Sequence, residues 1–264
     1  MNSSKSTKKI GIVVPTLGTR IQFLEKTLRS IRAAGHCHIT IVSPENTLLD
    51  RFANAQLFDE WVSDPMQGLV EAINHGIRSL PKSVEFVNWL GDDDTLTPNS
   101  LSVTSTQLEM NPEIVCVFGK CQYVNEVGQP IWMNKSGKFA VPLMRFGPQL
   151  IPQPGALFRR TAFDSVGGLD SKYKLAFDLD LLFKLKKVGQ IRYVAEQLST
   201  FRWHSESLSV GSRDISVREA SQIRKANLPK LLRGIAPVWE IPISYLILFT
   251  GKILSSIDNL KNRN

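Results

Sequence analysis

The chain has 264 residues, 42% of them apolar, and a formal net charge of +8. That length and apolar fraction allow one large α/β domain with its own core, without disulfide or metal staples. Cys37, Cys116 and Cys121 are odd in number and lack a CxxC spacing, so they read as buried free thiols in a reducing compartment. The opening MNSSKSTKKI is polar and basic with no apolar signal core behind it, so the expectation is a cytoplasmic protein rather than a secreted one.

In chain order, Ile10–Val14 is an apolar, β-branched run and predicts a buried strand stopped by Pro15. Thr19 and Gln22 have capping-box spacing, opening a helix over Ile21–Ala33 that Gly35 ends. His38–Val42 is a second strand, turning at Ser43-Pro44. Residues 45–60 carry no clear period, and a short helix is one reading. Trp61-Val62 is a short strand entering Ser63-Asp64-Pro65, and Gly68–Leu80 is a helix with Leu69, Ile73, Ile77 and Leu80 on one face. Val84–Leu90 is the fourth strand, ending in Gly91-Asp92-Asp93-Asp94. Thr97-Pro98 reads as the start of a helix reaching Met110. Strands follow at Ile114–Val124 and Ile131–Asn134, then a helix near 176–188, strands at about 191–203, and helix from 214. Alternating strand and helix in the first half predicts a mostly parallel, doubly wound sheet, with a mixed second half.

In such a sheet ligands sit beyond the carboxyl ends of the strands, where Asp92, Asp93 and Asp94 fall. Three adjacent carboxylates repel one another, and a hard divalent ion would relieve them. Mg2+ or Mn2+ takes one or two carboxylates and completes its shell with water and phosphate, which would seat and neutralise a nucleotide diphosphate. Asp-rich turns also occur without a ligand, so the triplet alone does not decide this.

SDPMQGLVEAINHGI (63–77) followed by VNWLGDDD (87–94) resembles the family 2 glycosyltransferases, which show D-x-G-x-x-x-A-x-N-x-G-I and then a strand ending in D-x-D. Gly68, Ala72, Asn74, Gly76 and Ile77 fall on that spacing, while Gln67 stands where an Asp is frequent. VVPTLG (13–18), PQPGALFRR (152–160), LAFDLDLLFKL (175–185) and LSTFRWHSESLS (198–209) resemble further segments in the family's order. The second strand departs: it ends Val42-Ser43-Pro44-Glu45 where the family has V-D-D-G-S, so Ser43 or Glu45 would replace the nucleobase contact.

The resemblance implies a GT-A fold over residues 8–210: a Rossmann-like, mostly parallel central sheet with a mixed second half, followed by a helical, basic tail at 211–264. It implies an inverting, divalent-metal-dependent transferase that moves a hexosyl or related sugar from a nucleotide-diphosphate donor to a glycan or lipid-linked glycan in bacterial surface-polysaccharide synthesis. Asp94 and Asp92 are then the metal and ribose pair, with Asp93 a ligand in the alternative register. Asp64 touches the nucleoside, Pro15 and Thr16 line its pocket, and His204 contacts diphosphate or metal with Arg202 as a phosphate partner. Arg159 and Arg160 are further anion candidates. For the base, Asp180 is accounted for by an ion pair with Lys184 at i+4, whereas Asp178 shares a face with Leu181 and Leu182, where burial would raise its pKa toward a base's range.

Residues 184–264 hold 14 Lys+Arg against 6 Asp+Glu, so the tail carries the charge excess. Its most apolar stretch, 237–257, is interrupted by Glu240, Pro242, Ser244 and Lys252, and the clean run of about ten residues is too short for a bilayer, which needs about 20. It could lie on the inner face of a membrane as an interfacial helix, or pack on the catalytic domain or on a second copy in a homo-oligomer. Two rival functions stand beside the leading one: a silent nucleotide- or glycan-binding module on the same fold, and a metal-dependent nucleotidyltransferase, against which the chain has no P-loop. Nucleic-acid binding is not expected, since the basic excess is not interleaved with an aromatic platform.

Overall fold

The computed structural model describes residues 8–44, 52, 55–147, 149–203, 212–243 and 245. β1 (Ile10–Pro15) is buried along its first five residues, as a run of Ile and Val with no polar face requires. β2 (His38–Ser43) and β4 (Phe86–Trp89) flank it, both parallel to it, and β3 (Glu60–Ser63) continues the parallel set beyond β2.

Two crossing helices cover the two faces. Ile12 and Val14 of β1 pack with Leu24, Leu28 and Ile31 of α1 (Ile21–Ala34), whereas Val13, between them, packs with Val70, Ile73 and Ile77 of α2 (Leu69–Ser79). Successive strand side chains point to opposite faces, so β1 feeds both cores and the sheet is doubly wound. Gly76 lies where α2 crosses closest to the sheet: a Cβ there would stand 2.5 Å from Val13 and 2.7 Å from Val42.

The second half is mixed, as expected. It contributes β5 (Thr95–Leu96), β6 (Ile114–Val124), β7 (Pro130–Asn134), β8 (Leu157–Arg159) and β9 (Gln190–Arg202). The sheet order is β3-β2-β1-β4-β8-β6-β9-β5, with β7 paired to β6. β8 is antiparallel to both β4 and β6, and β6 runs parallel to β9. Helices α3 (Ser100–Met110), α4 (Ala140–Leu143), α5 (Arg160–Ser165) and α6 (Phe177–Leu185) complete this half. α7 (Arg213–Asn227) packs back on it, burying Ile223 in the same core as α2 and α6, and α8 (Lys230–Arg233) follows.

Two helix starts differ from expectation. Arg20, not Thr19, precedes α1, with no side-chain cap. Thr97 does not start α3, because its backbone N–H and hydroxyl donate to Leu198 O (3.0 Å) and Gln197 O (2.6 Å), continuing the β5–β9 pairing. The helix begins three residues later, after Asn99 in a left-handed conformation (φ 62°).

Candidate active site

The four parallel strands end on one rim. The chain leaves β1 toward β2 on one side and β4 pairs on the other, so the crevice between β1 and β4 is the topological switch point where α/β sheets bind ligands. The rim is laced together by Thr16 N–H to Val42 O, Asp64 N–H to Ser43 O and Leu90 N–H to Val13 O, each 2.9 Å. It therefore gathers Pro15, Thr16, Ser43, Asp64 and Asp92–Asp94. Across the crevice Thr16 Oγ1 donates to Asp92 Oδ2 at 2.6 Å. Ser43 is fully buried and its hydroxyl accepts the indole N–H of Trp61 at 2.8 Å. Asp64 is half-buried, and its Oδ1 accepts Met66 N–H at 2.8 Å.

Two of the three carboxylates have a cation beside them, and it is one the sequence reading did not single out. Arg20 donates to Asp92 Oδ1 at 2.5 Å and to Asp93 Oδ2 at 2.8 Å. Its only sequence signal is a basic residue closing the loop after β1. Burial pushes the Asp92 carboxyl above the ordinary range against the pull of Thr16 and Arg20. Burial, then the charge of Asp93, raises Asp94 well above it.

Arg202 holds the turn from the other side. Its backbone N–H donates to Asp94 Oδ1 at 3.0 Å, and its guanidinium donates to the carbonyls of Asp93 (3.3 Å), Asn125 (3.1 Å) and Glu126 (2.6 Å) while lying over the Phe23 ring. These bonds make it a brace for the acidic turn. His204 lies outside the described residues.

The turn fits a divalent ion. Asp93 Oδ1 and Asp94 Oδ2 converge on the space beside Gly91, 3.2 and 3.1 Å from where a Cβ would stand, so glycine keeps open a cradle lined by two carboxylate oxygens. Among the described residues no group of three or more His, Cys, Asp and Glu side chains converges as a cation site. Two carboxylate oxygens suit an ion that completes its shell with water and substrate phosphate.

Asp178 sits in the first turn of α6. Its Oδ1 accepts Leu179 N–H at 2.7 Å and its Oδ2 faces Gln149 Nε2 at 3.3 Å. Burial pushes its carboxyl up to about 6. Asp180 is buried against Lys184 at 2.7 Å, the ion pair its spacing predicts. The entry to α6 is fixed by a residue with no sequence signal: Glu219 of α7 accepts the N–H groups of Lys174, Leu175 and Ala176, each at 2.9 Å. Trp89, at the end of β4, packs against Phe177 (6.1 Å) and stacks on Phe158 (5.5 Å), tying the acidic rim to the helix that carries Asp178. Burial raises the Tyr123 phenol.

Other motif residues turn out to be braces. Asn74 bonds the Leu169 backbone through its amide N and O (2.9 and 3.1 Å), and Gln153 Nε2 donates to Asn88 Oδ1 and Trp89 O, both 2.9 Å. Arg159 donates to Leu108, Asn111 and Ile114 carbonyls after α3, and Arg160 to Pro81, Leu80 and Ile77 carbonyls after α2. Both arginines complete helix C-termini, where terminal carbonyls lack intrahelical partners.

A doubly wound, mostly parallel sheet with a mixed second half and an acidic turn at its switch point is a fold of the GT-A type. Solved structures share it. The mannosyltransferase PcManGT from Pyrobaculum calidifontis, in complex with GDP-Man and Mn2+, matches with a TM-score of 0.63 at 14% identity, over 98% of this chain and 81% of that one. S. aureus TarS matches with a TM-score of 0.58 at 16% identity, over 85% of this chain and 43% of that one, so the chain spans less than half of TarS. A shorter TarS structure, residues 1–349, gives 0.58 at 13% identity over 85% and 68%. No family model matches the chain, and no curated protein matches it.

Proposed function

We propose that this chain is an inverting, divalent-metal-dependent glycosyltransferase that moves a sugar from a nucleotide-diphosphate donor to a hydroxyl of a glycan or lipid-linked glycan, in surface-polysaccharide assembly. The observation that carries the reading is the acidic turn at the switch point of the sheet, where Asp93 Oδ1 and Asp94 Oδ2 line the cradle beside Gly91. The nucleoside lies along Pro15, Thr16 and Asp64, and Asp93 and Asp94 hold the ion, with Asp92 on the ribose side. When bound, Mn2+ or Mg2+ neutralises the diphosphate that departs. The PcManGT complex, which holds GDP-Man and Mn2+, supports this donor class and ion.

Asp178 supplies the base. It takes the proton of the acceptor hydroxyl while that oxygen bonds to the anomeric carbon and the bond from that carbon to the diphosphate oxygen breaks, releasing a nucleoside diphosphate. A carboxylate titrating near 6 is ionised at neutral pH yet more basic than an exposed aspartate. Residues 230–245 are the segment that meets a membrane surface carrying the acceptor; among the described residues no helix is long and apolar enough to cross a membrane. The Arg20 pairing favours one second reading, a nucleotide-binding module without turnover, since Asp92 and Asp93 already have a counter-ion.

A panel of nucleotide sugars with Mn2+ or Mg2+ tests the proposal, read by thermal shift and by slow donor hydrolysis. One donor class should stabilise the protein only with metal and release nucleoside diphosphate. Binding without hydrolysis selects the silent module, and a flat response to every donor rejects both.

A further inference from the structure

The transferase reading leaves the acceptor unplaced, and the β6–β7 hairpin supplies a surface for it. Their register sets Cys121 opposite Asn134 and Tyr123 opposite Trp132. Residues two apart on a strand share a face, so these four side chains look the same way. Cys121 and Tyr123 stand beside Ser199 and Phe201 of β9, and the next residue of β9, Arg202, donates its backbone N–H to Asp94 Oδ1 at 3.0 Å, so this part of the sheet adjoins the acidic turn.

Outward from Asp94 the aromatic rings form a row. Phe201 and Trp132 each lie 5.1 Å from Tyr123, and Trp203 lies 6.1 Å from it. Trp132 ends the row with its indole 45% exposed, on the wall of a cavity of about 470 Å3 lined also by Asn134, Lys135, Ser136 and Leu150. Leu150 brings the cavity wall next in the chain to Gln149. Asn134 Nδ2 donates to Leu150 O at 3.1 Å, and the neighbouring Gln149 faces Asp178 with its Nε2. Gln149 Oε1 is buried with no hydrogen-bond partner among the described residues.

We infer that this cavity is a saccharide subsite in which a sugar ring of the acceptor stacks on Trp132, beside the segment whose Gln149 faces Asp178. An exposed indole beside a few convergent polar groups matches what a sugar presents, an apolar C–H face with hydroxyls around its edge. The inference rests on the transferase reading, since it makes Asp178 the base for the stacked sugar.

The test uses the full chain carrying 5-fluorotryptophan, titrated with methyl glycosides and disaccharides of common hexoses and N-acetylhexosamines and followed by fluorine NMR. The Trp132 resonance is assigned by its loss in Trp132→Phe. At least one saccharide should shift it saturably without donor or metal. Trp132→Ala should weaken that binding about tenfold, and Trp132→Phe should stay within about threefold of wild type. In turnover Trp132→Ala should raise the acceptor KM with little change in kcat, leaving donor thermal shifts unchanged. If donors bind and no saccharide in the panel moves the Trp132 resonance, or Trp132→Ala binds as well as wild type, the subsite is overturned while the transferase reading stands. If saccharides shift Trp132 and no donor binds, the subsite survives and the transferase reading fails.

Discussion

Asp178 and Asp180 lie two positions apart on one helical turn, and their surroundings divide the work between them. Asp180 has Lys184 at 2.7 Å, whereas the nearest polar partners of Asp178 are one backbone N–H and a long contact from Gln149. Burial therefore leaves Asp178 near 6. Asp178→Asn should cut kcat by about 100- to 10,000-fold with donor binding intact, as loss of a general base does. In the wild type kcat/KM should fall as pH drops below about 6, where the base becomes protonated. Stability moves the opposite way. The folded state holds this proton more tightly than the unfolded chain, so the contribution of Asp178 is fully present below the ordinary aspartate value and is lost as pH rises through about 6. Asp178→Asn should thus raise the melting temperature above pH 6 and leave it unchanged near pH 4. Arg20 makes a second prediction at this scale. Arg20→Ala strips the counter-ion from two largely buried carboxylates and should cost about 2 kcal/mol in a chelator, less than for a fully enclosed pair because the guanidinium keeps 30% of its surface. Mn2+ with a nucleoside diphosphate should restore more of the melting temperature in the variant than in the wild type, measured by thermal shift.

At the scale of elements, the helix that carries the proposed base is held at its entry by another helix. Glu219 of α7 gathers three consecutive backbone N–H groups at the entry to α6, where a helix start leaves donors unpaired and favours negative charge. Glu219→Ala should destabilise the fold by about 1–3 kcal/mol and should lower kcat more than it raises the donor KM, since Asp178 shifts with its helix. Glu219→Gln should recover part of both, read by thermal melts and steady-state kinetics. Arg159 and Arg160 act in the same way at the other ends of α3 and α2. The segments that carry the family resemblance are in large part the scaffold that holds the carboxylates. Gly76 sets how closely α2 approaches the sheet, and Gln153 and Asn74 fasten loops.

At the scale of the whole molecule, the charge of +8 meets an outward apolar face. Ala236 and Glu240 face inward, while Leu231, Ile235, Val238, Ile241 and Tyr245 are exposed, Leu231 by 89% and Val238 by 75%. Apolar side chains toward water with Lys225, Lys230 and Arg233 nearby suit an acidic lipid surface. The chain should float with vesicles containing phosphatidylglycerol and stay behind with phosphatidylcholine alone. High salt should weaken the association, and Val238→Glu with Ile241→Glu should abolish it. A concentration-dependent dimer in light scattering, with no vesicle binding, would assign the face to a second copy instead.

The sequence by itself determined the parallel half of the sheet, the helices over it and the placing of Asp92–Asp94 at a strand's carboxyl end, because side-chain period and strand composition are local properties of the chain. The Asp180–Lys184 ion pair was legible as well, since residues four apart meet on one face of a helix. Only the tertiary structure decided that β8 and β9 complete the sheet, that Ser43 is buried against Trp61, and that Arg20, Arg202 and Glu219 are the partners of the acidic turn and of the entry to α6. Those partners lie 72, 108 and 44 positions from the groups they hold, and no local pattern encodes a contact that exists only once distant strands and helices have packed.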